Sequence, residues 1–109
     1  MNNVSNQAPP PGGAGPWRAA PEVIARRVVL LAELAAALVL LGAPTRLQLE
    51  IHGGVALSVM FGGRIVTVVV VENARGGAGY LWGGVVRFPA GAGADVTREA
   101  AAALAGGVR

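Results

Sequence analysis

The chain has 109 residues, no cysteine and a formal charge of +3 that comes from nine arginines, with no lysine. Apolar residues make up 53% and charged ones only 14%, so there is material for one core and too little charge for strong long-range attraction of nucleic acid. A disulfide framework and a thiolate metal site are excluded, and the lack of cysteine fits a cytoplasmic setting.

Residues 1–20, MNNVSNQAPPPGGAGPWRAA, offer little to bury apart from Trp17 and read as a disordered Pro/Gly-rich tail. Residues 21–105 are then expected to form the folded domain, with 106–109 as a flexible end. A helix should begin at Pro21, whose fixed φ suits the first helical position, with Glu22 near the positive end of the dipole. It should stop near Leu41, because Gly42 suits a left-handed cap and Pro44 cannot continue the helix. Ile24, Val28, Leu31, Ala35 and Leu38 follow a three-four spacing and make the expected buried stripe, with Glu22, Arg26 and Glu33 on the other side. Past Glu33 this helix is apolar all round, so its end needs cover on more than one side.

The run VVLLAELAAALVLLGA, about 16 residues, invites a membrane reading, with Arg26 and Arg27 at the interface. It is shorter than the roughly 20 residues of a spanning helix and carries Glu33 near its middle. The 27 residues before it are too long and too proline-rich for a signal peptide. A buried helix is the expectation, and a membrane anchor through this helix the alternative.

TRLQLEIH alternates: Leu47, Leu49 and Ile51 on one face, Arg46, Gln48, Glu50 and His52 on the other. VALSVMF follows in the same manner, with Val55, Leu57, Val59 and Phe61 inward. Matching the faces across Gly53-Gly54 favours a three-residue loop that pairs Ile51 with Val55 and Leu49 with Leu57. At Gly62-Gly63 a two-residue primed turn pairs Phe61 with Arg64, Val59 with Val66 and Leu57 with Val68. This sends Val66, Val68 and Val70 inward and leaves Ile65, Thr67, Val69 and Val71 on the back. After the loop ENARGGAG, YLWGGVVRF reads as a fourth strand, with Tyr80, Trp82, Val86 and Phe88 in one phase and Gly83-Gly84 as a bulge. Asp95 is the expected N-cap of a last helix whose thin stripe is Val96, Ala100, Ala103 and Leu104.

The predicted fold class is therefore α+β, a two-layer sandwich in the order helix, four-stranded antiparallel meander, helix. The stretch from PEVIARRVVLL to GYLWGG, followed by a short Ala-rich helix, resembles small uncharacterised α/β proteins of high-GC Gram-positive bacteria, often encoded beside helix-turn-helix regulators. Tyr80 and Trp82 are the residues that match the aromatic pattern of that group. The resemblance spans roughly residues 21–105 and implies a role accessory to a transcription regulator. A looser similarity to type III secretion chaperone-like domains implies a tendency to dimerise. Neither supplies catalytic residues.

No constellation of catalytic, cofactor-binding or metal-ligating residues stands out. His52 is the one histidine and reads as an exposed turn residue, since a metal site needs three or four ligands. Ser58 lies mid-strand without a nucleophile-elbow frame. GGAG at 76–79 precedes a strand and lacks the P-loop lysine, and PAGAGAD places Asp95 where an anion would be repelled. Tyr80, Trp82 and Phe88, with Arg64 and Arg87 nearby, are the raw material of a stacking platform for single-stranded nucleic acid, but they are also the largest side chains available to fill the core.

The excess of valine on the back of the sheet carries the functional expectation. Met60, Ile65, Val69, Val71, Leu81 and Val85 should form a contiguous apolar patch, and such patches mark association sites. The sequence thus predicts a non-enzymatic protein-protein interaction module, a homodimer or a permanent protein partner joined through these six residues, with no cofactor and no small-molecule substrate.

Overall fold

The computed structural model describes residues 20–50, 53–73, 75–84, 86–91 and 93–107; for Val86, Arg87 and Gly107 only the backbone is described. The chain runs through helix α1 (Pro21–Leu40), strands β1 (Thr45–Leu49), β2 (Val55–Phe61), β3 (Arg64–Glu72), β4 (Ala78–Trp82) and β5 (Val86–Ala90), then helix α2 (Ala94–Gly107). The strands form one antiparallel sheet in the order β1-β2-β3-β4-β5, each paired with its neighbour in sequence. The α+β class and the helix, meander, helix order stand as expected, with five strands rather than four. The expected tail falls outside the described residues, except for Ala20.

Proline starts α1 as expected. Its end is a Schellman cap: Gly42, at φ 87°, donates to the Val39 carbonyl and Ala43 donates to the Leu38 carbonyl. The positive φ is the reason for glycine there. The buried residues of α1 are Leu30, Leu31, Leu34 and Leu38, with Ile24, Val28 and Ala35 partly buried. The stripe is rotated from the expected one toward Leu30 and Leu34, because α1 packs on α2 as well as on the sheet. Beyond Glu33 the apolar surplus is not covered: Val39, Leu40 and Leu41 are exposed.

The β2–β3 register matches the expected one residue for residue, from Leu57↔Val68 to Phe61↔Arg64. Within the connecting turn only Gly62 has positive φ, 61°, the mark of a type II′ turn. The β1–β2 register does not match. Leu47 pairs with Leu57 and Leu49 with Val55, a shift of two residues, and the Glu50 N–H closes on the Gly54 carbonyl at 2.8 Å. Three positions still separate this closing pair, as expected, but they are 51–53 rather than 52–54. Because side chains alternate with period two, a shift of two leaves every face unchanged, so hydrophobic pattern cannot tell the two registers apart. Ile51 and His52 lie outside the described residues.

The expected single strand 80–88 is a hairpin instead. Gly83 and Gly84 both have positive φ, 63° and 77°, so they reverse the chain rather than bulge it, and Trp82 faces Val86 while Tyr80 faces Phe88. At the last helix, the cap is Gly93, whose carbonyl accepts from the Thr97 N–H and hydroxyl, both at 3.1 Å. Asp95 sits in the first turn and pairs with Arg98. The buried side of α2 is Thr97, Ala100, Ala101 and Leu104; Ala103 is exposed and Val96 only half-buried.

One core joins both helices to one face of the sheet: Leu31, Leu34 and Leu38 from α1 and Leu104 from α2 meet Leu57, Val59, Val68 and Tyr80. Alanines at 100 and 101 let the two helices approach closely while the larger leucines fill the space over the sheet. Arg27 on α1 makes a two-pronged contact with Glu72 at the end of β3, both distances 2.9 Å. That hydrogen bond is the main cause that holds the Glu72 carboxyl below its ordinary range and the Arg27 guanidinium above its own.

Candidate interaction surface

With both helices on one side, the other side of the sheet has no helix over it among the described residues. Its composition follows from register. Met60 stands opposite Ile65 at one end. The next row is polar, with Arg46 opposite Ser58 and Ser58 opposite Thr67, and the Ser58 hydroxyl donates to Gln48 Oε1 at 3.2 Å. Then come Ala56 and Val69, which border one shallow concavity with Gln48, and Leu81 opposite Val69. Val71 follows, opposite Gly79, which in turn faces Pro89.

The interface expected from sequence is therefore on one face but not contiguous. Met60 and Ile65, 46% and 64% exposed, form a corner. Val69, Val71 and Leu81, half-buried by their neighbours, form a separate strip. The Ser58–Thr67 row divides them, because the turn at Gly62-Gly63 fixes that pairing. Val85, the sixth residue of the expected set, lies outside the described residues.

The aromatic residues weighed as a stacking platform belong to the core. Tyr80 is fully buried and Trp82 is 6% exposed, while Phe88 packs against the same core. The Tyr80 hydroxyl donates to the Leu30 carbonyl at 2.7 Å. Burial first, and the Glu33 carboxylate second, push this phenol up to about 12, with the Thr97 hydroxyl acting in the opposite sense. Such a group stays protonated at neutral pH and ties α1 to β4.

A concavity of about 610 Å³ opens between α1 and α2, bordered by Arg26, Leu30, Glu33, Leu40, Thr97 and Arg98. It mixes both signs of charge around an apolar floor, with no convergent set of polar groups. Among the described residues no group of His, Asp or Glu is placed to hold a metal ion, and no helix is long and apolar enough to cross a membrane. One surface feature was missed from sequence. Leu49 is in the inward phase of β1 yet 62% exposed, because β1 is the sheet's edge.

Compared with protein-family models, curated proteins and solved structures, the chain shows no match.

Proposed function

We propose that the chain is a non-enzymatic protein-protein interaction module whose docking surface is the back of its sheet, with Met60, Ile65, Val69, Val71 and Leu81 supplying the apolar contacts to a second copy or to a protein partner. The observation that carries this reading is the one-sided placement of the helices, which leaves branched and long apolar side chains without a helix over them among the described residues. Burying four or five such side chains contributes about 1.5 to 3 kcal/mol each as an upper bound, enough to offset the cost of ordering two partners. The polar Ser58–Thr67 row suits a specific interface, since it must find hydrogen-bonding groups opposite. The resemblance to small proteins encoded beside helix-turn-helix regulators supports an accessory role in transcription control as the context, and a cytoplasmic site of action with it.

Light scattering on the separated protein tests the self-association arm. The expected result is a mass above the 10.9 kDa of one chain, stepping down in Ile65→Glu, which places a charge in the exposed corner without touching the core. Equal masses for the parent and Ile65→Glu would count against docking of a second copy through this face.

A further inference from the structure

The two edges of the sheet are unlike. β5 carries Pro89 within its span, and a proline has no N–H to offer an incoming strand, so that edge is blunted. β1 has no proline within its span. The Pro44 carbonyl accepts from the Met60 N–H at 2.9 Å and the Glu50 N–H donates to the Gly54 carbonyl at 2.8 Å, so the even-numbered residues of this segment turn their backbone groups toward β2. By the alternation of an antiparallel ladder, Thr45, Leu47 and Leu49 turn theirs outward. Among the described residues those outward groups have no backbone partner.

The side chains at this edge read the same in both directions. With Gln48 as the centre, Leu47 and Leu49 are mirror positions, and so are Arg46 and Glu50. Laid antiparallel against itself, the segment places Leu47 opposite Leu49 of the second copy as hydrogen-bonded pairs, which matches their outward backbone groups. Arg46 then falls opposite Glu50 of the second copy as a non-hydrogen-bonded pair, the closer of the two kinds, with opposite charges on the same face. Each pair occurs twice. A register centred on Leu47 also satisfies the backbone but leaves Arg46 opposite Gln48 and Glu50 without an opposing charge, so charge selects the first. The 62% exposure of Leu49 has its explanation here as well: an inward-phase leucine lacks a neighbour only until a second sheet continues the layer.

We propose that two copies of this chain pair through β1 in the register centred on Gln48, making one continuous ten-stranded sheet. The two-fold axis stands perpendicular to the sheet, so both sets of helices lie on one side and both back faces join on the other. On the reading of the back face as a docking surface, the pair presents a surface of twice the width to its partner; the edge pairing itself does not depend on that reading.

The test is made in the Ile65→Glu background, so that loss of back-face docking and loss of edge pairing are separate results. Sedimentation across the micromolar to millimolar range is expected to show a monomer–dimer equilibrium. Adding Arg46→Glu or Glu50→Arg alone should weaken it about tenfold, since each turns two attractive pairs into repulsive ones, and the double reversal Arg46→Glu/Glu50→Arg should restore it. Amide exchange is expected to slow at Leu47 and Leu49 as concentration rises, while Arg46 and Gln48, already bonded to β2, stay unchanged. Circular dichroism checks that each variant is folded, which the exposure of both charged residues favours. A monomer at all concentrations, additive rather than compensating effects of the two reversals, or a dimer with unprotected Leu47 and Leu49 amides would each overturn the proposal.

Discussion

Replacing Tyr80 by phenylalanine removes one oxygen from the centre of the fold and leaves the ring in place. Its hydroxyl gives a buried hydrogen bond of 2.7 Å to the Leu30 carbonyl, which also has its own helical partner four residues on. The change therefore strips a donor without leaving a wholly orphaned acceptor, and its cost at neutral pH should be about 1 kcal/mol, or about 4 to 8 °C in melting temperature for a domain of this size. The same oxygen has a second signature. The folded phenol ionises near 12 against an ordinary value of 10.0. Between those values the unfolded chain has lost this proton and the folded one retains it, so stability present below pH 10 is lost as pH rises toward 12. The slope is about 1.4 kcal/mol per pH unit where both conditions hold, and the total about 2 to 3 kcal/mol. The phenylalanine variant lacks this loss, and the two stability curves should cross near about pH 11. Urea unfolding followed from pH 7 to 11.5 measures both effects, and because Tyr80 is the sole tyrosine, phenolate absorbance titrates it directly. Parallel curves for the two proteins, or a phenol that ionises at its ordinary value in the folded state, would refute the reasoning.

Three further outcomes follow from the packing. Trp82→Ala should cost about 3 to 5 kcal/mol in urea unfolding, as expected for a core aromatic, and an unchanged stability would return Trp82 to the surface. Glu72→Gln should cost about 0.5 to 1 kcal/mol at pH 7, because the pair with Arg27 is only partly shielded. Since the folded carboxyl is held low, that contribution is present above the ordinary carboxylate range and disappears as pH falls through the lowered value, so the difference from the parent should shrink with acidification. Gly91→Ala should destabilise by about 1 kcal/mol or more, because Gly91 has φ 77° and an added Cβ would sit 3.2 Å from Leu30 Cδ2.

What could be read from the sequence was whatever period and turn chemistry decide locally. The α1 cap at Gly42, the inward set of β2 and β3 and the Gly62-Gly63 register all follow from short-range rules, and each is found. The rotation of the α1 stripe toward Leu30 and Leu34 was not legible, because it depends on α2, whose own buried side is mostly alanine and gives a weak signal. The Gly83-Gly84 hairpin was legible in principle, since glycine pairs reverse the chain elsewhere in this sequence. Its misreading cost one strand. The division of the back face by Ser58 and Thr67 follows from a register that was expected correctly but not carried through to the neighbouring rows. The open edge at Leu49 was beyond pattern alone: inward phase says which way a side chain points, not whether anything stands there to receive it.

The bond between Tyr80 and Leu30 spans 50 positions of the chain, and this separation has a consequence for birth at the ribosome. At about 5 to 20 residues per second, Leu30 is made roughly 3 to 10 s before its partner. During that interval α1, with Leu30, Leu31, Leu34 and Leu38 along one side, has emerged or is emerging without the sheet that will shelter it. The meander can zip up hairpin by hairpin as it appears, but the helix must be held in reserve until β4 arrives. A nascent chain halted before Tyr80 should therefore recruit folding helpers, and one released from the ribosome after α2 is made should let them go.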